Sequence, residues 1–326
     1  MIHIVGMGIP GCLLAVLLDR EGIDFTWEDR ECSPDPQGVI PVRTAWKAST
    51  GCIYPSGSTK FGPDEACREV WLNWCTSGLF EEAMEPNVLE VANWIFNHKK
   101  PPHGGKYEFE QLAPNLRMAT RAKSLHLNAQ QLVVEVRRKF DARRRAFGTY
   151  MRLTNATVIH THGFTHRLSH VYWGWTRLVG LDYSGIELRK GIRPAFYFRE
   201  GLLNMSYAYP VPNTPYWYAG SSLIKQQPSA MKELDVEKHY QRWLKNFERM
   251  AGGHVKVLSA DDTPMQGWRP ASKDEDWLQS RGCEIWFRPL WNSGIRHFPM
   301  QWSELARLLA IRIPDNEVIP CVTARS

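Results

Sequence analysis

No run of the sequence stays apolar over the roughly 20 residues a membrane-spanning helix needs, and mean hydropathy is -0.38. An integral membrane protein is therefore not expected. The seven cysteines (12, 32, 52, 67, 75, 283 and 321) are odd in number and form no CxxC pair. That excludes a disulfide framework and fits reduced thiols. No HExxH and no spaced Cys/His set occurs, so no metal is expected. The amino-terminal Met-Ile-His-Ile-Val-Gly-Met-Gly lacks the basic segment of a signal peptide and carries glycines where one would be apolar. The expected location is the cytoplasm. Internal repeats and low-complexity tracts are also missing, which excludes a solenoid and a disordered tail.

What is present is an ordinary globular composition, 43% hydrophobic and 23% charged over 326 residues. That is enough for one large domain or two intertwined ones. Lys+Arg exceed Asp+Glu by 40 to 34, a formal +6, which permits an anionic partner without demanding one. Tryptophan is abundant, 14 in all, a residue suited to cores, stacking sites and interfaces.

The beginning of the chain is the most informative part. Ile2–Val5 reads as a buried strand, and Gly6-x-Gly8-x-x-Gly11 follows at once. Cys12–Glu21 has helical length and is strongly apolar, and Ile23–Trp27 alternates as a strand. The unit is β-α-β with an acid at its end, the context in which the glycine motif binds a dinucleotide. The first glycine permits the turn, the second lets backbone approach a pyrophosphate, and the third lets helix pack on strand. Ile9 and Pro10 open the helix, where proline's missing N–H costs nothing, and the helix N-terminus faces the phosphates. Asp29 lies 23 residues after Gly6 and Glu28 lies 22 after it. Either can accept from ribose hydroxyls, and strand register favours Asp29. A single motif suits FAD or NAD.

Further along, residues 31–62 read as a loop, and 64–96 as helical. Residues 128–146 read as a basic helix, Thr157–Thr161 as a buried strand and 170–224 as antiparallel sheet. Val236–Met250 reads as an amphipathic helix, Glu284–Phe287 as a strand and Ser303–Ile311 as a last helix after Pro299.

Several segments share the order found in one family. Ala48-Ser49-Thr50-Gly51 resembles a second flavin-contacting loop, and Leu127–Leu132 the start of the following helix. Thr157–Gly163 stands where the family has a strand ending in a small residue and glycine, so Thr161 and Gly163 join the cofactor set. Tyr209-Pro210 with Ala219–Ser222, then Gly267-Trp268-Arg269-Pro270, then Asn292-Ser293-Gly294-Ile295-Arg296-His297-Phe298-Pro299 complete the series. Together they resemble the FAD-dependent oxidoreductases of the D-amino acid oxidase and glycine oxidase type.

The resemblance implies an α/β fold: a Rossmann-like FAD-binding domain with an antiparallel-sheet substrate domain. The FAD domain is expected from 1–62, 122–168 and 258–326, and the substrate domain from 63–121 and 169–257. It implies hydride transfer from the carbon α to an amine onto FAD, with imine hydrolysis to glyoxylate or a similar carbonyl and dioxygen as acceptor. Arg269 is then the catalytic and substrate-carboxylate candidate, unless it pairs structurally with Asp262 or Asp274. His297 is a second catalytic candidate, although hydride transfer needs no strong base. Backbone around Ser293, Gly294 and Ile295 would stabilise negative charge on the flavin.

Asn292, Trp268 and Trp46 complete the substrate set. Trp46, Trp173, Trp175, Tyr207, Tyr209, Trp217 and Trp268 each read as ordinary sheet packing, and together they suggest a substrate larger and flatter than glycine. The run Arg137-Arg138-Lys139 to Arg143-Arg144-Arg145 holds six cations in nine residues. It reads as a solvated helix face or as a phosphate-binding patch in which Arg137, Arg138, Arg144 and Arg145 contact nucleic acid. On that reading the substrate is a glycyl-modified nucleobase, thymidine in phage DNA or uridine in tRNA.

The departures from the family are specific. The stretch before Thr157 is too short for the usual β-meander, His160 and His162 replace small residues, and Asn292 stands where some relatives have arginine. A flavin monooxygenase or halogenase is the alternative enzyme, disfavoured by its missing motifs, and a flavin-binding protein without oxidase activity is the other alternative.

Overall fold

A computed structural model of the chain describes residues 1–32, 49, 51–53, 64–79, 88–91, 94–97, 108–120, 124–161, 170–189, 193–200, 204–221, 224–226, 234–260, 264–271, 278–287, 295 and 297–319. The α-helices among them are α1 (Ile9–Arg20), α2 (Asp64–Thr76), α3 (Ala129–Lys139), α4 (Val236–Met250) and α5 (Phe298–Leu308). No helix among the described residues is long and apolar enough to cross a membrane.

The β-α-β unit read from the sequence is present and forms part of a five-stranded sheet. Its order is Leu278–Arg281, Glu284–Phe287, Thr157–His160, Ile2–Val5, Phe25–Glu28. Neighbours run parallel except for the edge hairpin 278–287. One face of this sheet buries Ile4, Phe25, Trp27, Ile159 and Ile285 against α1, α2, α3 and α5. Helix α1 buries Leu13, Leu14, Val16, Leu17 and Leu18, each contributing about 1.5–3 kcal/mol. It is apolar nearly all round because it sits inside this core.

The second sheet has ten strands and is organised on the 13-residue strand His170–Asp182. One of its faces is covered by α4, which reads as an amphipathic helix for a visible reason. Val236, Tyr240, Trp243, Phe247 and Met250 recur at helical spacing and are buried, and Asp235 caps the start by accepting from the Lys238 amide at 3.0 Å. A small antiparallel sheet, Cys52–Ile53 with Ser124–Leu127 with Val88–Val91, joins the two bodies.

The mixed architecture of parallel and antiparallel sheets agrees with the expected fold class, while several local expectations are corrected. The helix expected over 64–96 stops at Thr76, and Val88–Val91 and Trp94–Phe96 are strands. The basic helix stops at Lys139 because Phe140 turns inward: its ring meets Phe25 edge-on at 5.1 Å and its carbonyl accepts from Trp27 Nε1 at 2.8 Å. The last helix starts at Phe298, before Pro299, since proline is tolerated in a first turn. Helix α2, grouped by the sequence with the substrate unit, packs on the first core through Cys67, Val70, Trp71 and Trp74. Ser259 and Met265–Ala271, grouped with the FAD unit expected from residue 258, pair with His170–Asp182.

Candidate functional site

Gly6 has φ 100, a conformation that only glycine adopts cheaply, and its N–H donates to the Glu28 carbonyl at 2.8 Å. Gly8 caps α1, and Ile9 and Pro10 form its first turn, which holds no acidic residue. Gly11 is required by close approach. A Cβ there would fall 2.0 Å from the Gly6 carbonyl oxygen and 2.8 Å from Thr161 Oγ1. The Thr161 hydroxyl donates to the Gly6 carbonyl from the adjacent parallel strand, so the turn is braced from two sides. This cradle, at a helix N-terminus with no side-chain cap, fits a pyrophosphate.

The two acids at the end of the second strand part ways. Glu28 is fully buried on the face of the sheet away from α1. It accepts from His3 Nε2 at 3.1 Å and from the Gly148 and Tyr150 amides at 2.9 and 3.0 Å. Burial opposes its charge, but the hydrogen bonds from His3, Gly148 and Tyr150 outweigh it and hold the carboxyl below the usual range. Glu28 is thus a structural acid that ties down the segment holding the short 3-10 turns at 141–143 and 149–152. Asp29 stands beside the glycine loop, where its Oδ2 accepts from the Met7 amide.

Ser49 and Gly51 form the second loop. The Gly51 amide donates to Ser49 Oγ at 3.3 Å, and its φ of +61 leaves no room for a Cβ, which would lie 2.0 Å from the Leu127 carbonyl oxygen. Cys52 comes next, and a group the sequence reading passed over comes with it. His126 Nε2 lies 2.9 Å from Ser124 Oγ and 3.8 Å from Cys52 Sγ, while Trp94 Nε1 donates to Ser124 Oγ at 2.9 Å. Burial, and then the charge of Arg193, push the His126 imidazole down to about 3, so it is neutral.

Against this group lies the face of the large sheet opposite α4. Trp94, Phe96, Tyr197 and Tyr209 form its cluster, with Cys52, Met205 and Tyr207 half-buried around it. Tyr207 stacks on Tyr209 with centroids 4.7 Å apart and planes 7° apart, and Tyr209 meets His126 edge-on at 5.6 Å. Of the aromatic set read from the sequence, Tyr207 and Tyr209 lie here. Trp173, Trp175 and Trp217 point to the other face, where they pack with Tyr240, Trp243 and Phe247 of α4. Strand alternation decides the difference, and only pairing register reveals it.

Arg269 lies on Met265–Ala271, its backbone in register with Tyr172, and Trp268 in register with Trp173. The Ile295 carbonyl accepts from Trp71 Nε1 at 3.0 Å, which anchors the entry to α5. His297 is buried at the cap of α5. Trp46, Ala48, Thr50, Gly163, Asn292, Ser293 and Gly294 lie outside the described residues.

The basic run is largely committed to internal pairs. Arg137 bonds Asp29 and Glu31, Lys139 and Arg143 pair with Asp19, and Arg144 with Asp141. Arg138 and Arg145 are exposed. Helix α3 ends between them, with Arg137 and Arg138 on its last turn and Arg144 and Arg145 beyond it. Among the described residues no group of three His, Cys, Asp or Glu gathers as a metal site.

No family model matches the sequence, and no curated protein does. Solved structures do. Glycine oxidase from Bacillus cereus superposes with a TM-score of 0.67 at 14% identity, covering 99% of this chain and 98% of that one. The fold is that of glycine oxidase. Iminodiacetate oxidase from Chelativorans sp. matches with a TM-score of 0.65 at 14% identity, over 98% of this chain and 99% of its own. Glycerol-3-phosphate dehydrogenase from Bacillus halodurans, in complex with FAD, matches at 0.56 and 16% identity, over 96% of this chain and 65% of that protein.

Proposed function

We propose that the protein is an FAD-dependent oxidoreductase that oxidises the C–N bond of an amine or amino acid, with dioxygen as the electron acceptor. One observation carries this reading. An intact dinucleotide cradle is closed by Gly11 and Thr161, and Cys52, next to the Ser49–Gly51 loop, packs against an aromatic cluster. Support also comes from the fold shared over nearly full length with glycine oxidase and iminodiacetate oxidase.

Bound FAD supplies a two-electron acceptor for the hydride leaving the carbon α to a neutral amine. The chain's share is binding and placement. The backbone that opens α1 at Gly8 and Ile9 would hold the pyrophosphate, Asp29 would receive the ribose, and the Ser49–Gly51 loop would border the ring system. Tyr207, Met205 and Tyr197 exclude water from the reacting carbon and orient an apolar or flat substituent. Arg269 holds the substrate carboxylate through its fork. Water then hydrolyses the substrate imine to a carbonyl such as glyoxylate.

The aromatic cluster favours a substrate larger than glycine. The proposed substrate is a free amine or amino acid. The test is anaerobic mixing of the purified yellow protein with glycine, sarcosine, aromatic amino acids and a glycyl-nucleoside. Bleaching of the flavin band by an amine, with peroxide release on admitting air, is the expected result. A protein that binds no flavin, or whose flavin no amine reduces, overturns the reading.

A further inference from the structure

We propose that Arg137 is the positioning residue of the nucleotide site, holding Asp29 in the orientation that receives the 2′-hydroxyl of an adenosine ribose. The proposal rests on the reading of this site as one for FAD. It reassigns a residue that the sequence placed in a nucleic-acid patch.

The guanidinium reaches out of α3 and uses each of its nitrogens on a different partner. Nε donates to the Met7 carbonyl at 2.9 Å, one terminal nitrogen to Glu31 at 3.0 Å and the other to Asp29 Oδ2 at 3.1 Å. The side chains are largely enclosed, Arg137 at 15% exposure and Asp29 at 9%. One planar fork thereby ties the glycine loop, the end of the second strand and the 3-10 turn Arg30–Cys32 into a single unit. Lysine offers no such planar fork.

The acceptor count on Asp29 shows what is left for a ligand. Oδ2 accepts from the Met7 amide and from Arg137, and Oδ1 accepts from the Glu31 amide at 2.7 Å. A carboxylate has about four lone-pair sites, so one remains, on Oδ1. One hydroxyl donor fits there. The turn brings Glu31 beside Asp29, and Arg137 lies between the two carboxylates. Without Arg137 the two carboxylates repel each other and Asp29 loses the partner that fixes its rotamer. Arg137 acts on the ribose only through Asp29.

The test compares apoprotein binding of FAD with its 2′-deoxyadenosine analogue, read by quenching of flavin fluorescence, in wild type and Arg137→Met. Wild type is expected to bind FAD about tenfold or more tightly than the analogue. In Arg137→Met, FAD affinity falls about tenfold or more and the preference over the analogue disappears, while Arg137→Lys restores only part of it. A merely structural role would lower the melting temperature of the apoprotein and weaken both ligands alike, leaving their ratio intact. An unchanged ratio in Arg137→Met overturns the proposal. If that variant does not fold, Arg137→Gln, which keeps a donor but loses the charge and the fork, gives the same comparison. Failure of wild type to bind FAD at all is a different result, and it removes the functional reading beneath.

Discussion

Tyr207 lies directly over Gly220 on the neighbouring strand: a Cβ at Gly220 would fall 2.5 Å from the tyrosine ring and its hydroxyl. The two residues face each other in antiparallel register, so the missing side chain is what lets the ring lie flat on Tyr209. Gly220→Ala is therefore expected to lift Tyr207 off the floor without unfolding the sheet. The rate constant for flavin reduction divided by the substrate dissociation constant should fall roughly tenfold or more, with flavin content unchanged. Stopped-flow reduction of the loaded protein measures it, and an unaltered rate would remove Tyr207 from the substrate site.

Gly51 and Gly22 share a left-handed backbone, with φ +61 and φ +68, but only Gly51 is hemmed in, by the Leu127 carbonyl. Alanine at Gly22 has open space and meets only the backbone penalty of about 1–2 kcal/mol. Alanine at Gly51 meets that penalty and must also push the loop off the Ser124–Leu127 strand. We expect Gly22→Ala to lower thermal stability and retain FAD, whereas Gly51→Ala loses FAD as well. Flavin absorbance per mole of purified protein separates the two, and equal flavin content would argue against the loop contacting the cofactor.

These contrasts mark how far the sequence could be read. The glycine motif was legible because its chemistry is local: turn, helix start and strand end all lie within Ile2–Asp29. The fate of Arg137 was not, since its partners Met7, Asp29 and Glu31 are more than a hundred residues away. The same holds for the tryptophans. Trp173 and Tyr207 have similar surroundings in sequence, yet one faces α4 and the other faces Cys52. Nothing short of strand register decides that. The helix that ends at Lys139 was over-extended because charge pattern carried the reading past Phe140, whose ring is a core residue.

Glu28 offers a stability test independent of any ligand. Its carboxylate is held below the usual range by donors from His3, Gly148 and Tyr150, so the folded state binds its proton less readily than the unfolded chain. The stabilisation is present above the ordinary glutamate range and is lost as pH falls through the lowered folded value. Glu28→Gln keeps the shape and removes the charge. It should cost about 1–3 kcal/mol at neutral pH, and the deficit should narrow as pH drops towards 3. Urea denaturation at a series of pH values tests this. A deficit independent of pH would mean that the charge contributes nothing.

His126 predicts the opposite end of the same titration. Its imidazole is pushed down to about 3 from an ordinary 6.5, because burial and the nearby Arg193 both penalise the cation. Below pH 6.5 the unfolded chain takes up a proton that folded His126 refuses, so stability falls with falling pH, by up to about 1.4 kcal/mol per unit. The loss continues down to the folded value. His126→Asn cannot titrate, and between pH 6.5 and 5 its stability should fall less steeply than that of wild type. Glu28 is common to both proteins, so its own titration cancels from the comparison. The ring resonances of His126 should likewise show no titration above pH 4, and a midpoint near 6.5 would place the imidazole in solvent instead of beneath Tyr209.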